Sequence, residues 1–386
     1  MEQLRFACPC GFGLEGILAG ELRRMGAKEI SAADGRVDFS GTEEDLCRAN
    51  LRLRTAERVL VVLGSFRATS FSQLFDGVER LPLERFIGKK DRFPVKGWSL
   101  NSQLHSVPDC QSIIKKAAVK RLGQKYGVTW FEETGALYQL QFSIMKDIVT
   151  IMLDTSGAGL HKRGYRRVQN QAPIRETLAA GILDLARIYP DTRLYDPFCG
   201  SGTFLIEGAY KAKNIAPGLY RRFAAEEWPI IPKVVWQEQR EEALSQVRRE
   251  IDFRAFGSDI DPQALEITAG NVKKANVAPL IQTSLRDIRE FAVPAEKSIV
   301  VCNPPYGERL LRSDEAEDLC RVMGRVFRPS EQVGYFIISA VENFEELFGR
   351  RADKRRKLYN AMMKCQLYMY FPPGGKIEHR SNKGIQ

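Results

Sequence analysis

The chain has 386 residues, 44% of them hydrophobic and 27% charged, which is the composition of a globular protein too long for one ordinary core. Its formal net charge of +10 favours an anionic partner such as nucleic acid. No apolar run approaches the ~20 residues that span a bilayer, and the N-terminus lacks the layout of a secretory signal, so we expect a cytoplasmic protein without membrane contact.

The eight cysteines are scattered over the whole length, which argues against a disulfide framework. Cys8-Pro9-Cys10 contains the only close pair, and no second pair completes a zinc site. We therefore expect reduced thiols and no metal.

The first 67 residues alternate helix and strand signals. Apolar residues recur at helical spacing from Gly13 to Met25, and a short strand is predicted at Val37–Phe39. Thr42 begins a capping pattern for a second helix, and Arg58–Phe66 has the β-branched composition of a strand. This β-α-β-α-β rhythm predicts a ferredoxin-like α+β segment over residues 1–67.

Residues 68–158 repeat the mixture of helices and strands. The patterns predict helices at Phe71–Val78, Pro82–Ile87 and Ser112–Tyr126, and strands at Arg92–Leu100, Leu137–Ile144 and Ile148–Asp154. The lysines of the last helix lie away from its apolar stripe, so solvent or a phosphate backbone would face them. The RNA contacts predicted there are Lys115, Lys116 and Lys120.

Residues 159–172 have glycines and then cations around an aromatic side chain, as in a linker that also binds RNA. The predicted contacts are Lys162, Arg163, Tyr165 and Arg166. The alternative is a solvated charged loop.

From Ala172 onward, helix and strand signals alternate at the intervals of a parallel sheet. Such crossovers predict an α/β, doubly wound sheet that binds ligands at the carboxyl ends of its strands. The predicted elements are helices Ile174–Ile188, 203–213 and Pro262–Ala275, and strands 193–196, Ala255–Ile260, Ile281–Leu285, Ile299–Cys302 and Gly334–Ser339.

The cofactor site is predicted at a glycine loop that links the first of these strands to a helix. The loop does not fit G-x-G-x-x-G and has no Gly-Lys-Ser/Thr, which disfavours dinucleotide and P-loop sites. After the next two strands come Asp259, suited to ribose hydroxyls, and Asp287, suited to an adenine amine, with Asp261 as a helix cap; the reverse roles of Asp259 and Asp261 stay open. Each acid alone could be a cap or a solvated turn. The predicted cofactor-binding residues are Asp196, Pro197, Phe198, Cys199, Gly200, Ser201, Gly202, Thr203, Asp259, Ile260, Asp287, Ile288 and Asn303.

A tetrapeptide after a later strand is the predicted catalytic site: Asn303, Pro304, Pro305 and Tyr306. Amide and carbonyl oxygens beside an aromatic face suit a planar amine. We interpret the pair of motifs as methyl transfer to a base nitrogen. The alternative is a proline-stiffened turn without a role.

The glycine loop, Ser258-Asp259-Ile260-Asp261-Pro262 and the stretch from Asn303 to Leu310 resemble the class I S-adenosylmethionine-dependent RNA methyltransferases that carry a THUMP domain. Residues 153–166 resemble the end of that domain and its link. The resemblance implies a Rossmann-like methyltransferase domain at 173–374 after a THUMP domain at 68–158 and a linker at 159–172, with a flexible tail at 375–386. It also implies S-adenosylmethionine as cofactor and RNA as partner, and it is closest to the bacterial enzymes that methylate guanine N2 in 23S ribosomal RNA.

Other functions share these motifs. Relatives with this layout modify transfer RNA, a DNA adenine-N6 methylase uses the same tetrapeptide chemistry, and a non-catalytic RNA-binding protein could keep the fold. Two further segments stay open between RNA contact and a structural role. They are the insertion 214–250 and the cation-rich stretch 350–357, predicted as a solvated loop.

Overall fold

The computed structural model describes residues 3–166, 173–305, 313–361 and 363–373. The chain forms two compact units. Unit 1 consists of Met1–Cys10, Glu15–His161 and Ala216–Ser245, and unit 2 of Gly11–Leu14, Lys162–Ile215 and Gln246–Gln386. This division differs from the predicted boundaries, which treat residues 173–374 as one uninterrupted domain.

Unit 1 begins with alternating strands and helices. Its elements up to His161 are β1 Leu4–Pro9, α1 Glu15–Arg24, β2 Lys28–Ala33, β3 Arg36–Gly41, α2 Glu43–Arg52, β4 Leu60–Arg67, α3 Phe71–Glu79, β5 Val95–Leu100, α4 Val107–Tyr126, β6 Leu140–Met145 and β7 Ile148–Asp154. The predicted helix Pro82–Ile87 is wrong, since only one 3-10 turn forms there, at Leu83–Arg85.

The strands of unit 1 form one seven-stranded sheet in the order β2-β3-β1-β4-β7-β6-β5. Strand β4 pairs antiparallel with β7, from Leu60 opposite Asp154 to Arg67 opposite Ile148. The predicted ferredoxin-like and THUMP segments therefore share a continuous sheet. One core lies under it and contains side chains from both segments.

Residues 216–245 complete that core. Trp228 is 1% exposed and stacks on Tyr138 with ring centroids 4.4 Å apart, and its indole N–H donates to the Leu137 carbonyl. Trp236 is also buried and stacks on Phe223. The two tryptophans pack in unit 1, so the structure favours the packing alternative for this segment.

Unit 2 carries most of the remaining elements. In chain order they are α5 Glu176–Leu185, β8 Arg193–Asp196, α6 Thr203–Ala212, α7 Lys233–Ser245 (which belongs to unit 1), β9 Arg254–Asp259, α8 Pro262–Lys274, β10 Ile281–Leu285, β11 Ser298–Cys302, α9 Ser313–Val326, β12 Val333–Ser339, α10 Phe344–Phe348, β13 Lys354–Asn360 and β14 Met363–Tyr370. None of the helices in the described parts of the chain has the length and apolar character needed to cross a membrane.

The sheet of unit 2 confirms the predicted doubly wound α/β fold. Its order is β10-β9-β8-β11-β12-β14-β13, with β8 to β12 parallel and β14 and β13 antiparallel to their neighbours. Strand order reverses between β8 and β11, and a crevice opens at the carboxyl ends of the strands at such a switch point. Strand β12 is buried along its whole length, as expected for a strand covered on both faces.

The stretch predicted as a solvated loop is in part a strand. Residues Lys354–Asn360 form β13, the edge of this sheet, in a hairpin with β14. The prediction failed because four consecutive cations hide the alternation with which a half-buried strand is recognised.

Candidate active site

The glycine loop between β8 and α6 is held from outside by α8. Gly200 and Gly202 have positive φ angles of 51° and 79°. A Cβ on Gly202 would lie 2.9 Å from the Thr268 side chain, so this position requires glycine. The Thr268 hydroxyl donates to the Gly200 carbonyl at 2.6 Å, and the Asn271 amide donates to the Ser201 carbonyl at 3.0 Å. The loop is therefore fixed in place by two side chains of one helix.

Asp196 ends β8 and is 2% exposed. Its carboxylate accepts a hydrogen bond from the Phe198 amide at 3.1 Å. Burial raises the pKa of Asp196 well above its usual range, and the nearby negative charge of Asp259 raises it further. The desolvated carboxyl group lies in the wall of the same cavity as Asp259.

Asp259 is the last residue of β9, Asp261 follows that strand, and the two carboxylates have different roles. Asp259 accepts from the Gly200 amide at 2.9 Å and from the Asp261 amide at 3.1 Å. Asp261 accepts from the Gln263 amide at 2.9 Å and is the N-cap of α8, with Pro262 at the first helical position. The cap role predicted for Asp261 is confirmed. Each Asp259 oxygen keeps a further lone pair for a ligand.

Asp287 follows β10 and caps a short 3-10 turn. Its carboxylate accepts from the Arg289 amide at 2.8 Å and pairs with the Arg289 guanidinium at 2.7 Å. The hydrogen bond from that amide, with the guanidinium, lowers the pKa of Asp287 below its usual range. Ile260, 67% exposed, and the buried Ile288 line the cavity beside these acids.

Asn303 follows β11 directly. Its side-chain Oδ1 is buried, and none of the described residues donates a hydrogen bond to it. Pro304 is buried and Pro305 is half-buried. Tyr306, the fourth predicted catalytic residue, lies outside the described residues. A buried acceptor without a donor is costly unless a ligand or another group satisfies it.

These loops line one cavity of about 950 Å³ in unit 2. Of the predicted cofactor residues, Gly202 does not line the cavity, and neither does the predicted catalytic residue Pro304. The cavity also has walls that the motifs did not indicate. They come from the segment before α5 and from the N-terminal halves of α6, α8 and α9: Pro173, Ile174, Phe204, Gln263, Ala264, Ile267, Glu315, Asp318 and Leu319. Glu315 and Asp318 of α9 follow the predicted catalytic motif along the chain, which is a signal that could have indicated them.

The predicted RNA contacts on α4 are partly engaged with acids of unit 1. The Lys115 ammonium pairs with Glu133 and lies 3.5 Å from the centre of the Phe93 ring. The Lys120 ammonium pairs with the Glu79 carboxylate at 3.0 Å. Lys116 is exposed. Because surface pairs contribute little, Lys120 stays accessible to a phosphate, as does Lys116, while their role in RNA binding stays a prediction.

The predicted binding edge at residues 162–166 needs a correction. Arg163 is 4% exposed and Tyr165 2%, and both contact the buried Glu207 of α6, the guanidinium at 3.4 Å and the phenol at 3.0 Å. Arg166 donates to the Thr203 hydroxyl at 2.7 Å and pairs with Glu176 at 3.5 Å. Of the four predicted contacts in this segment, Lys162 alone is exposed. The prediction of a solvent-facing contact is wrong for Arg163 and Tyr165, because a buried glutamate requires buried counter-groups.

We expect Arg163→Met to destabilise unit 2 more than it affects RNA binding. Removing one partner of a buried ion pair leaves an uncompensated charge and costs about 3–5 kcal/mol. The midpoint of urea unfolding measures the effect, with the exposed neighbour Lys162→Met as the matched control. An unchanged midpoint for Arg163→Met would contradict the structural role.

Three protein-family models match the chain, one after another from its N-terminal part onward. The RlmL ferredoxin-like domain matches residues 5–60, the THUMP domain residues 68–154, and the RMKL-like methyltransferase domain residues 163–369.

Individual proteins match over nearly the whole chain. The chain is 41% identical over 373 residues to "Putative RNA methyltransferase YpsC" of Bacillus subtilis (strain 168), covering 96% of this chain and 97% of that protein. It is 32% identical over 376 residues to the ribosomal RNA large subunit methyltransferase K/L of Psychromonas ingrahamii, covering 95% of this chain and 50% of that longer protein. The solved structure described as "Crystal structure of SMU.472, a putative methyltransferase complexed with SAH" matches with a TM-score of 0.91 and 36% identity over 96% of this chain and 99% of that one.

Proposed function

The chain belongs to the family of RMKL-like methyltransferases with ferredoxin-like and THUMP domains, and from this membership we propose that it methylates the exocyclic N2 of a guanine in 23S ribosomal RNA. It is an RNA methyltransferase of the RlmK/L type, and its cofactor is S-adenosylmethionine. The base, the atom and the RNA are the parts that we propose. The observation that carries the choice of an amine nitrogen is the buried Asn303 Oδ1 without a donor among the described residues, at the carboxyl edge of the sheet. The choice of ribosomal RNA rests on the family and on the name of the large subunit methyltransferase K/L.

The cavity fits the cofactor. It has three acids after three neighbouring strands, an exposed isoleucine between two of them, and a glycine loop fixed by α8. Asp259 would accept from the ribose hydroxyls and Asp287 from the adenine amine, while Ile260 and Ile288 would contact the adenine ring. When bound, the cofactor supplies an electrophilic methyl group on a sulfonium.

Asn303 and Pro304 would prepare the nucleophile. The lone pair of a guanine N2 amine is delocalised into the ring, so attack requires the nitrogen to become tetrahedral. The Oδ1 of Asn303 and the carbonyl oxygen of Pro304 would accept hydrogen bonds from its two N–H groups, which favours the tetrahedral geometry. Prepositioned groups of this kind are worth about 3–4 kcal/mol each in comparable sites.

The remaining contribution of the chain is placement. The proline-stiffened loop would hold the amine in line with the methyl group, so that positioning provides most of the acceleration. No strong base is needed, because the nitrogen loses its proton readily after transfer. A base inside a duplex cannot reach the cavity, so the nucleotide must be single-stranded or turned out of its stack, at a cost of a few kcal/mol.

Mass spectrometry of nucleosides tests the proposal. We expect N2-methylguanosine in 23S ribosomal RNA to decrease in cells without the protein and to return when the purified enzyme and cofactor are added to that RNA. If N2-methylguanosine decreased in transfer RNA and not in 23S ribosomal RNA, transfer RNA would be the substrate and the proposed RNA would be wrong. A decrease of N6-methyladenine in DNA with unchanged RNA would overturn the proposal.

A further inference from the structure

The β13–β14 hairpin stands at the catalytic edge of the unit 2 sheet. Strand β13 is antiparallel to β14, which is antiparallel to β12, so β13 runs in the direction of β11 and β12. Asn360, at which β13 ends, and Met363, at which β14 begins, therefore lie at the same edge as the carboxyl ends of the parallel strands. That edge also carries Asn303.

Strand register fixes how far the hairpin lies from Asn303. Cys302 pairs with Ile337, Ile337 with Tyr368, and Tyr368 with Arg355. This row crosses three strand spacings, or about 14 Å. Along the strand direction, Tyr359 lies four residues past the row, or about 13 Å. The hairpin thus extends beyond the end of β11 and flanks the active-site edge.

One face of the extending part combines cations and aromatic rings. Lys357 and Tyr359 alternate along β13 on the face of Arg355, and Lys364 of β14 pairs in register with Tyr359. The Lys357 ammonium lies 5.4 Å from the centre of the Tyr359 ring. Phe12, 46% exposed, meets the Tyr359 ring edge-on at 6.0 Å between centroids. We call Phe12, Lys357, Tyr359 and Lys364 the hairpin patch.

The charges of the hairpin patch are not neutralised. Arg355 on the same face pairs with Glu345 of α10 at 3.0 Å. Lys357 and Lys364 are both exposed, and within the described ranges no carboxylate lies within ion-pair distance of either ammonium. Two open cations beside two partly exposed rings are suited to a polyanion that also carries flat bases.

We propose that the hairpin patch binds the single-stranded RNA segment next to the methylated nucleotide. Lys357 and Lys364 contact phosphates, and Tyr359 with Phe12 stacks an adjacent base. This inference rests on the proposed function for its RNA substrate and adds the surface that holds the RNA at the catalytic edge. Stacking and phosphate contact together are the usual basis of single-strand binding.

The cations of the edge strand β13 also have an alternative explanation. An edge strand needs some device against pairing with other chains, and lysines are a common one. Charge for that purpose alone would not require aromatic rings at the tip, where they lie partly exposed. An acidic protein, as the alternative ligand, would pair with the cations but would offer the aromatic rings no flat base to stack on.

Salt dependence of RNA binding gives the sharpest test. Each phosphate contact to a single strand contributes roughly 0.7 to the slope of log affinity against log salt, so Lys357→Gln with Lys364→Gln should reduce the slope by about 1.4. The matched control is Lys273→Gln with Lys297→Gln, which removes the same charge. Both control lysines are exposed, and they lie at the amino edge of the same sheet, at the end of α8 and before β11. The control slope should stay unchanged.

Tyr359 separates stacking from charge. Tyr359→Phe keeps the ring and should bind a single-stranded RNA fragment as the parent does, whereas Tyr359→Ala should bind it about tenfold more weakly. In transfer assays the hairpin variants should raise KM for RNA and leave kcat at saturating RNA nearly unchanged, since none of them lines the cavity.

The outcomes discriminate between the two proposals. An equal reduction of the salt slope in the hairpin pair and the control pair would overturn the hairpin patch as an RNA-binding site, and so would an unchanged slope in both pairs. Loss of binding to an acidic protein in the lysine variants, with unchanged affinity for RNA, would overturn it as well. If the parent protein fails to methylate RNA, the proposed function fails instead. The binding comparison still stands by itself, because it needs no turnover.

Discussion

Asn303→Ala should lower kcat for methyl transfer by at least about 10²–10³-fold, the cost of removing one prepositioned polar group from an active site. The affinity for the cofactor should stay nearly unchanged. The physical reason is the state of Oδ1, which accepts no hydrogen bond from the described residues, so its removal breaks none that the fold uses. Single-turnover transfer of labelled methyl to RNA measures the chemical step, and calorimetry measures cofactor binding.

Asn303→Asp is the matched variant for this experiment. It keeps an acceptor oxygen at the same position and should retain a higher kcat for methyl transfer than the alanine variant. If alanine supported transfer at the parental rate, the role of Asn303 as acceptor for the target amine would be excluded. If both variants lost cofactor affinity, the residue would serve the cofactor and not the nucleophile.

Asp259→Ala should weaken cofactor binding about 100-fold. Hydrogen bonds to a charged acceptor contribute about 1.5–3 kcal/mol each, and a tenfold change in affinity corresponds to about 1.4 kcal/mol. The variant also leaves the Gly200 amide without its carboxylate partner, which loosens the glycine loop. Titration with S-adenosylhomocysteine measures the affinity without turnover.

Asp261→Ala provides the control two residues away. It removes the N-cap of α8, which costs about 0.5–2 kcal/mol of stability, and it should leave cofactor affinity within a few fold. A larger loss of affinity in Asp261→Ala than in Asp259→Ala would reverse the assignment of ribose acceptor and helix cap.

Much of the candidate site follows from local chain rules. Parallel strands joined by crossovers all end at the same edge of the sheet. Residues at or just past the ends of these strands therefore meet at that edge. This reasoning brings Asp196, Asp259, Asp287 and Asn303 to one cavity, as the structure has them. The capping role of Asp261 is local as well, since it depends on an amide two residues away.

The residues that sequence reasoning misassigned are those whose partners lie far along the chain. Arg163 and Tyr165 have the composition of a nucleic-acid contact, and only Glu207, more than forty residues later, makes them buried structural groups. Glu207 itself stands in an apolar helix, where a single acid is easily taken for a surface position. The burial of Arg163 and Tyr165 depends on their pairing with Glu207, and no local sequence pattern indicates that pairing.

The insertion is a second case. From the sequence alone, its tryptophans and arginines are compatible with stacking on RNA and with packing in a core to the same degree. Tyr138 and Leu137 of unit 1 decide the matter by stacking on Trp228 and accepting its N–H.

The sequence by itself determined the α/β fold, the order of the acids at the ends of its strands and the position of the amide-proline turn, and the proposed chemistry is based on these features. These depend on spacing within one strand-helix unit, and the backbone imposes that spacing. Only the tertiary structure decided which cations are open to RNA, because a charge is buried or exposed according to acids and sheets elsewhere in the chain. The hairpin patch also depends on the tertiary structure, since strand register alone places the end of β13 and the start of β14 at the sheet edge that carries Asn303.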